Sequence, residues 1–186
     1  MSSDSAATAL LAPVLAALRG APATAVVLID GPSGAGKSTL ADALRLAWPG
    51  GRGPTLVRLD DIYPGWGGLD AASAHLADRV LLPRHEGRPA AWQGYDWERE
   101  QRAGWTCVPS DRPLIVEGCG TLAAVPVALS DIRVWVGADD AVRKSRALAR
   151  DGDLFREHWD EWQAQWEAYC ARESPERSAT IRLAAR

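Results

Sequence analysis

The sequence predicts an α/β fold with three layers, in which a central parallel sheet of about five strands carries helices on both faces. Two observations support this prediction. Short apolar runs with the length of buried strands occur at 25–29, 55–59, 114–116, 132–136 and 179–183. Segments with helical patterns separate these runs, and strands that alternate with helices build a parallel sheet with right-handed crossovers.

The size and composition of the chain favour one domain that acts on a small molecule. Its 186 residues are 47% hydrophobic and 24% charged, which is ordinary for a globular protein with a substantial core. The formal net charge of -3 provides no general attraction for nucleic acids. We therefore expect a small-molecule partner, with no nucleic-acid partner and no membrane partner.

The cysteines and the N-terminal segment both favour a cytoplasmic protein. The three cysteines lack the paired spacing that would hold zinc, so we expect reduced, packed thiols. The apolar run at 6–18 follows Asp4, where a signal peptide would carry basic residues, and it is too short to span a bilayer. We expect a packed helix there, which Pro13 either starts or kinks.

A glycine-rich turn follows the first apolar run and precedes a helical segment. Residues 31–38 read Gly-Pro-Ser-Gly-Ala-Gly-Lys-Ser, which is the order of a phosphate-binding P-loop between a strand and a helix. The glycines let the backbone curl so that its N–H groups point into one hollow at a helix N-terminus, where negative charge is favoured. We expect Lys37 to reach the terminal phosphates of a nucleoside triphosphate and Ser38 to bind magnesium. The predicted nucleotide-binding residues are Gly31, Ser33, Gly34, Ala35, Gly36, Lys37, Ser38 and Thr39.

The next predicted elements place carboxylates at strand ends. A turn rich in Pro and Gly at 48–54 ends the P-loop helix, and the strand at 55–59 leads into Asp60 and Asp61. Ligands bind at the carboxyl ends of parallel strands, so Asp60 could accept a proton from a substrate hydroxyl or contact magnesium. Asp61 is the second choice, and a structural turn role is the alternative for the pair. Asp70 then favours the cap of a helix that reaches about Leu82.

Glu117 ends the apolar strand at 114–116, where an unpaired charge would be costly. In P-loop proteins a carboxylate at the corresponding strand end belongs to the metal shell, so Glu117 is predicted to be a magnesium ligand. A structural pairing is the alternative. We expect an irregular insertion at 89–109, rich in Trp and Tyr, to form a wall of the site for the phosphoryl acceptor.

Three arginines follow the fourth strand on one helical face. Arg143, Arg146 and Arg150 are spaced by three and four residues, so they would repel one another unless an anion or carboxylates lie opposite. We expect a lid near 143–158 that brings Arg143 and Arg146 to the nucleotide and uses Arg146 and Arg150, with Lys37, in catalysis. A solvated basic face is the alternative, and Asp151 is placed to anchor one arginine.

An aromatic stripe follows the arginines. Its residues repeat by four and three, which predicts one face of a helix from about 153 to 171. Such a stripe is mostly packing surface, although its first turns could line the nucleotide or acceptor site. The stripe consists of Phe155, Trp159, Trp162, Trp166 and Tyr169.

These segments together resemble the uridine kinase-like branch of the P-loop kinases. The matching segments are 29–40, Asp60-Asp61-Ile62-Tyr63, Val116-Glu117-Gly118 and the arginine run that ends at Arg150-Asp151. The resemblance implies an ATP-dependent kinase that uses Mg²⁺, with Asp60 as catalytic base and Tyr63 in contact with the acceptor. It also implies that Asp96, within Tyr95-Asp96-Trp97, holds sugar hydroxyls of the acceptor, and Glu117 is expected near the same substrate.

The sequence leaves several functions open. The leading hypothesis is transfer of the γ-phosphoryl group of ATP to a hydroxyl of a nucleoside or similar small metabolite. One alternative is a nucleotide-dependent switch or regulatory ATPase, although the Asn-Lys-x-Asp motif of guanine-selective switches is absent. Another is a P-loop kinase for a non-nucleoside acceptor such as gluconate or a vitamin precursor. The acceptor, the choice of ATP or GTP, and the state as monomer or homo-oligomer stay open.

Overall fold

The computed structural model describes residues 3–185, without the side chains of 3–9 and 154. Its main sheet contains five parallel strands in the order β2-β5-β1-β6-β7. This arrangement confirms the predicted fold class. The strands are β1 (Val26–Asp30), β2 (Thr55–Arg58), β5 (Leu114–Glu117), β6 (Ile132–Ala138) and β7 (Ile181–Ala185).

Helices cover both faces of this sheet. Alternate residues of a strand point to opposite faces, so Leu28 belongs to one core and Ile29 to the other. The Ile29 side packs against α1 and α2, and the Leu28 side packs against α3 and α6. The helices are α1 (Ser3–Leu18), α2 (Lys37–Leu46), α3 (Leu69–His75), α4 (Leu82–His85), α5 (Ala124–Ala128), α6 (Asp140–Glu173) and α7 (Pro175–Ser178).

The sheet register brings the important strand ends together. Glu117, the last residue of β5, pairs in register with Ile29 of β1 on one side and with Arg58 of β2 on the other. The segment after β1 is the glycine-rich turn, and the 3-10 turn Leu59–Asp61 follows β2. Three segments predicted to carry function therefore begin at the same edge of the sheet.

The region between α4 and β5 differs from the sequence-based expectation. Instead of an irregular insertion, it forms an antiparallel hairpin of β3 (Ala90–Asp96) and β4 (Gln101–Val108), separate from the main sheet. Alternating polar and aromatic residues of this kind suit a strand with at least one exposed side. Cys107 lies on the outer strand β4 and is exposed, so the prediction that all three cysteines are packed was wrong for this residue.

Two helical segments also differ from the prediction. The helix expected to begin with Asp70 as its cap instead has Gly68 at the N-cap, and Asp70 forms an ion pair of 2.7 Å with Arg172. Its helical path continues through a π-helical segment, Leu76–Leu81, into α4. The arginine run and the aromatic stripe lie on two helical segments of α6 that meet at a kink at Gly152 (φ 72°, ψ -153°).

The N-terminal helix packs through its C-terminal half. Val14 and Leu18 of α1 are buried in the core beside α2, and Pro13 lies inside the helix. Within residues 3–185, no helix is long and apolar enough to cross a membrane.

Gly34→Ala should destabilise the fold, because a Cβ at residue 34 would lie 1.9 Å from the backbone oxygen of Arg143 and the residue has φ +79°. We expect a loss of about 2 kcal/mol or more in the free energy of unfolding. Gly53→Ala is the matched control, since its Cβ would meet nothing within 4 Å. Urea unfolding of both variants is the measurement, and equal stability would contradict this account of the turn.

Candidate active site

The glycine-rich turn forms a cradle of backbone between β1 and α2. Gly31, Gly34 and Gly36 all have positive φ angles, of 145°, 79° and 96°. A Cβ at Gly31 would lie 2.1 Å from the backbone oxygen of Val136, so this end of the turn packs directly on β6. Gly36 is the N-cap of α2 and has no side chain that could accept the first N–H groups of that helix. The turn therefore offers backbone donors to an anion.

Lys37 is the charged group at the centre of this cradle. Its side chain is buried, and Nζ donates hydrogen bonds to the backbone oxygens of Gly31 at 2.8 Å and Pro32 at 3.0 Å. Burial works to lower the pKa of this ammonium, but the negative charge that Cys119, Glu117 and Asp60 can carry around it outweighs burial and raises the pKa. Lys37 therefore keeps a positive charge beside the turn.

A cavity of about 220 Å³ opens over the cradle. The turn, two strand ends and the first half of α6 form its walls. Positive and negative side chains face each other across it, as a site for a phosphate–metal pair requires. The lining residues are Ser33, Gly34, Gly36, Lys37, Ser38, Thr39, Asp60, Glu117, Cys119, Arg146, Ala147 and Arg150.

Glu117 brings a buried carboxylate into this cavity. It is 2% exposed, and its Oε1 has no hydrogen-bond partner in the described residues, although Arg58 Nε lies 3.3 Å away as an ion pair. Burial raises the pKa of Glu117, while the charge of Lys37 and a hydrogen bond from Ser38 oppose this shift. A buried carboxylate oxygen that accepts no hydrogen bond is suited to binding a cation.

The two aspartates after β2 take different positions. Asp60 lines the cavity, whereas Asp61 does not. Burial raises the pKa of Asp61, and repulsion from Asp60 raises it further. The indole Nε1 of Trp97 donates a hydrogen bond of 2.9 Å to the backbone oxygen of Asp60, so the β3–β4 hairpin helps to hold this residue.

The structure separates the three arginines of α6. Arg146 and Arg150 line the cavity. The Nε and Nη2 atoms of Arg150 donate hydrogen bonds of 2.6 and 2.7 Å to the carboxylate of Asp151. Arg143 is instead 5% exposed and outside the lining. Its guanidinium contacts Asp140 at 2.7 Å and Gln163 at 3.1 Å, so these partners satisfy the charge within α6.

A second cavity of about 300 Å³ adjoins the first. Aromatic side chains from three parts of the chain form most of its wall: the segment after β2, the β3–β4 hairpin and α6. Trp66 stacks on Phe155 with ring centroids 5.4 Å apart, and its backbone oxygen accepts a hydrogen bond of 2.7 Å from Gln165 of α6. The lining residues are Ser33, Asp60, Tyr63, Trp66, Trp97, Arg150, Asp151, Phe155 and Trp162.

Two residues predicted to contact an acceptor have different surroundings. The ring of Tyr63 lines the second cavity, but its buried hydroxyl donates a hydrogen bond of 2.8 Å to the backbone oxygen of Cys119. Asp96 lines neither cavity and pairs with Arg99 of the hairpin turn at 2.7 Å. Hydrogen bonding with Arg99 lowers the pKa of Asp96.

The two cavities meet at three shared residues, Ser33, Asp60 and Arg150. Two compounds bound in the two cavities would therefore approach each other beside a hydroxyl, a carboxylate and a guanidinium. Sequence reasoning expected the 89–109 region, which contains Trp97, and the first turns of the aromatic stripe beside the acceptor, but it did not single out Trp66, Trp97 or Trp162 as lining residues. The density of tryptophan around the predicted motifs was the available signal, but spacing alone does not show which indoles meet.

The residues present fit a magnesium ion that is held partly by its substrate. Among the side chains that the structure describes, no group of three or more His, Cys, Asp or Glu has an arrangement that could hold a metal. Mg²⁺ commonly takes one or two carboxylates together with substrate phosphates and water. The orphaned Oε1 of Glu117, with Ser38 and Asp60 in the same cavity, matches such a partial set of ligands.

No protein-family model and no curated protein sequence matches this chain. Among solved structures, that of a possible uridine kinase from Bacillus stearothermophilus matches with a TM-score of 0.69 at 19% identity, over 98% of this chain and 100% of that chain. A protein named provisionally as a fructose transport system kinase, from Silicibacter sp. TM1040, matches with a TM-score of 0.52 at 18% identity, over 95% and 98%. At these identities the likeness shows the fold, and it confirms the resemblance to uridine kinase-like proteins at that level.

Glu117→Gln should leave the ligand-free protein as stable as the wild type or more stable. A carboxyl group whose pKa is higher in the folded chain than in the unfolded chain opposes folding as the pH rises above its usual value of 4.5. The glutamine variant loses this penalty, so its Tm near neutral pH should equal or exceed that of the wild type.

The measurement is Tm against pH without magnesium or nucleotide. The Tm difference between Glu117→Gln and the wild type should grow from pH 4.5 towards neutrality. Glu98→Gln, in the exposed hairpin turn, should show no such trend. If Glu117→Gln loses stability relative to the wild type as the pH rises, the pKa of Glu117 is not raised in the folded protein, and this prediction is wrong.

Proposed function

We propose that this protein is an ATP-dependent kinase that transfers the γ-phosphoryl group to a hydroxyl of a small, ring-bearing molecule. The observation that carries the proposal is the junction of a phosphate-binding cavity with an aromatic cavity at Asp60. A hydrolase or a switch needs a nucleotide site alone, whereas a kinase needs a second site that opens onto the terminal phosphate.

The side chains of the first cavity divide the chemistry between proton transfer and charge stabilisation. The acceptor hydroxyl gives its proton to the Asp60 carboxylate while its oxygen forms a bond to the γ-phosphorus. The bond from that phosphorus to the bridging oxygen breaks, and ADP leaves with the electron pair. Lys37, Arg146 and Arg150 stabilise the negative charge on the transferred group and on the leaving diphosphate.

Ser38, Glu117 and Asp60 are the residues that would hold Mg²⁺ in this cavity. The ion supplies charge neutralisation to the phosphates when bound. The backbone N–H groups of Gly34 and Gly36 and the side chains around them hold the polyphosphate itself, whereas the N–H of Gly31 already donates to Asp30. Arg143 is not included in this proposal, because it is buried and lines neither cavity.

The second cavity favours an acceptor with a flat ring. Tyr63, Trp66, Trp97, Phe155 and Trp162 provide large apolar surfaces that pack well against a planar or ring-shaped group. The carboxylates of Asp60 and Asp151 would repel an anionic acceptor in this cavity. Arg150 does not offset both of them, because its guanidinium already pairs with Asp151. These features support a nucleoside or a ring-bearing vitamin precursor and disfavour gluconate.

Asp60→Asn should separate binding from chemistry. The asparagine keeps the shape of the side chain but cannot take the proton, so we expect phosphoryl transfer to fall by about 10²- to 10⁴-fold. Affinity for a non-hydrolysable ATP analogue without magnesium should change by less than about 3-fold, which corresponds to under about 0.7 kcal/mol. Coupled detection of ADP and calorimetry provide the two measurements.

Asp61→Asn is the matched control, because Asp61 is adjacent in sequence but lines neither cavity. It should retain transfer within a few-fold of the wild type. If Asp61→Asn abolishes transfer while Asp60→Asn retains it, the base has been assigned to the wrong carboxylate.

A thermal-shift screen with a magnesium-bound ATP analogue should identify the acceptor class. Ribonucleosides and hydroxymethyl heterocycles form one group of compounds, with fructose and gluconate as the second group. We expect stabilisation by one or more ring-bearing alcohols, because a ligand at 100 times its Kd adds about 2.7 kcal/mol to stability. In a separate assay with Mg²⁺ and ATP, ADP release that none of these compounds stimulates would favour the switch or regulatory ATPase instead.

A further inference from the structure

Trp162 connects the aromatic cavity to the phosphate-binding turn. It lies in the second half of α6, is 5% exposed and lines the second cavity. Its indole Nε1 donates a hydrogen bond of 3.0 Å to Oγ of Ser33, a residue 129 positions away in the turn. Ser33 borders both cavities, so this contact lies where the two bound compounds would meet.

The hydrogen bond determines what the Ser33 hydroxyl can do. An indole N–H only donates, so Ser33 Oγ must be the acceptor in this pair and its own O–H is left to donate elsewhere. Within the described residues, this O–H can donate to Cys119 Sγ, which lies 3.7 Å from Ser33 Oγ. A sulfur is a weak acceptor, whereas a phosphate oxygen is a strong one. The hydroxyl is therefore ready to turn towards a phosphate oxygen at the junction.

The indole of Trp162 is itself held in place. Tyr63 packs edge-on against it, with ring centroids 4.8 Å apart and an angle of 74° between the planes. The hydroxyl of Tyr63 donates to the backbone oxygen of Cys119 at 2.8 Å, which fixes the second ring. The side chains of Trp162 and Tyr63, with the backbone oxygen of Cys119 behind them, thus orient a single hydroxyl of the P-loop.

We propose that Trp162 is a positioning residue for phosphoryl transfer, because its indole N–H orients the Ser33 hydroxyl to donate to the γ-phosphate. The inference rests on the proposed kinase function, since it requires a nucleoside triphosphate in the first cavity. Its specific consequence is selectivity: the contact should strengthen the binding of a triphosphate and leave the binding of a diphosphate nearly unchanged.

The test is calorimetric binding of Mg²⁺ with a non-hydrolysable ATP analogue, and separately of Mg²⁺ with ADP. The proteins are the wild type, Trp162→Phe, Ser33→Ala and the double variant. We expect each single variant to bind the ATP analogue about 5- to 15-fold more weakly, as for one lost hydrogen bond. ADP affinity should stay within about 2-fold, and the double variant should be no weaker than Ser33→Ala alone.

The controls separate positioning from loss of packing. Trp159→Phe replaces a second buried tryptophan of α6 that lines neither cavity, and it should leave both affinities unchanged. Ser33→Ala removes the same hydrogen bond from the turn without changing the core around α6. It therefore provides the test if Trp162→Phe unfolds.

The outcomes distinguish this inference from the function on which it rests. If the wild type binds neither nucleotide, the proposed function is wrong and the inference fails with it. If the wild type binds both, three results overturn the inference alone: equal losses for the ATP analogue and ADP, additive losses in the double variant, or no loss in Ser33→Ala.

Discussion

The carboxylate of Asp30 is the group on which the geometry of the candidate site depends. It is fully buried at the end of β1 and accepts four hydrogen bonds, from the N–H groups of Gly31, Gly120 and Leu122 and from the hydroxyl of Tyr169. Burial raises the pKa of Asp30, whereas these donors work in the opposite direction. One buried group therefore ties the glycine-rich turn, the segment after β5 and α6 together.

This anchoring explains how one helix can serve both cavities. Tyr169 holds the C-terminal part of α6 to β1, and the break at Gly152 changes the path of the helix between its arginines and its aromatic stripe. Arg146 and Arg150 then face the first cavity, while Trp162 faces the second. The site also contains a cost in stability, since Glu117 is buried without a hydrogen bond to Oε1. Such a cost is typical of residues retained for function.

Sequence reasoning succeeded where a local pattern and a general rule of topology acted together. The glycine-rich turn lies between a strand and a helix, as its motif requires. Glu117 ends β5 and Asp60 follows the neighbouring strand β2, and parallel strands place their carboxyl ends at one edge of the sheet. It failed at 89–109, where interspersed aromatic residues gave no clean period although the chain forms a hairpin. The roles proposed for Tyr63 and Asp96 stay predictions, and the structure gives their polar groups partners within the chain.

The sequence by itself determined the five strands of the main sheet, the glycine-rich turn and the carboxylates at the ends of its neighbouring strands. These features depend on residues close together in the chain, where side-chain period, glycine conformation and strand length act directly. Only the tertiary structure decided that Arg143 binds Gln163 and lies outside both cavities, that indoles from three segments line one cavity, and that Trp162 donates a hydrogen bond to Ser33. Those contacts join residues as far as 129 positions apart, and packing of the whole core sets their distances.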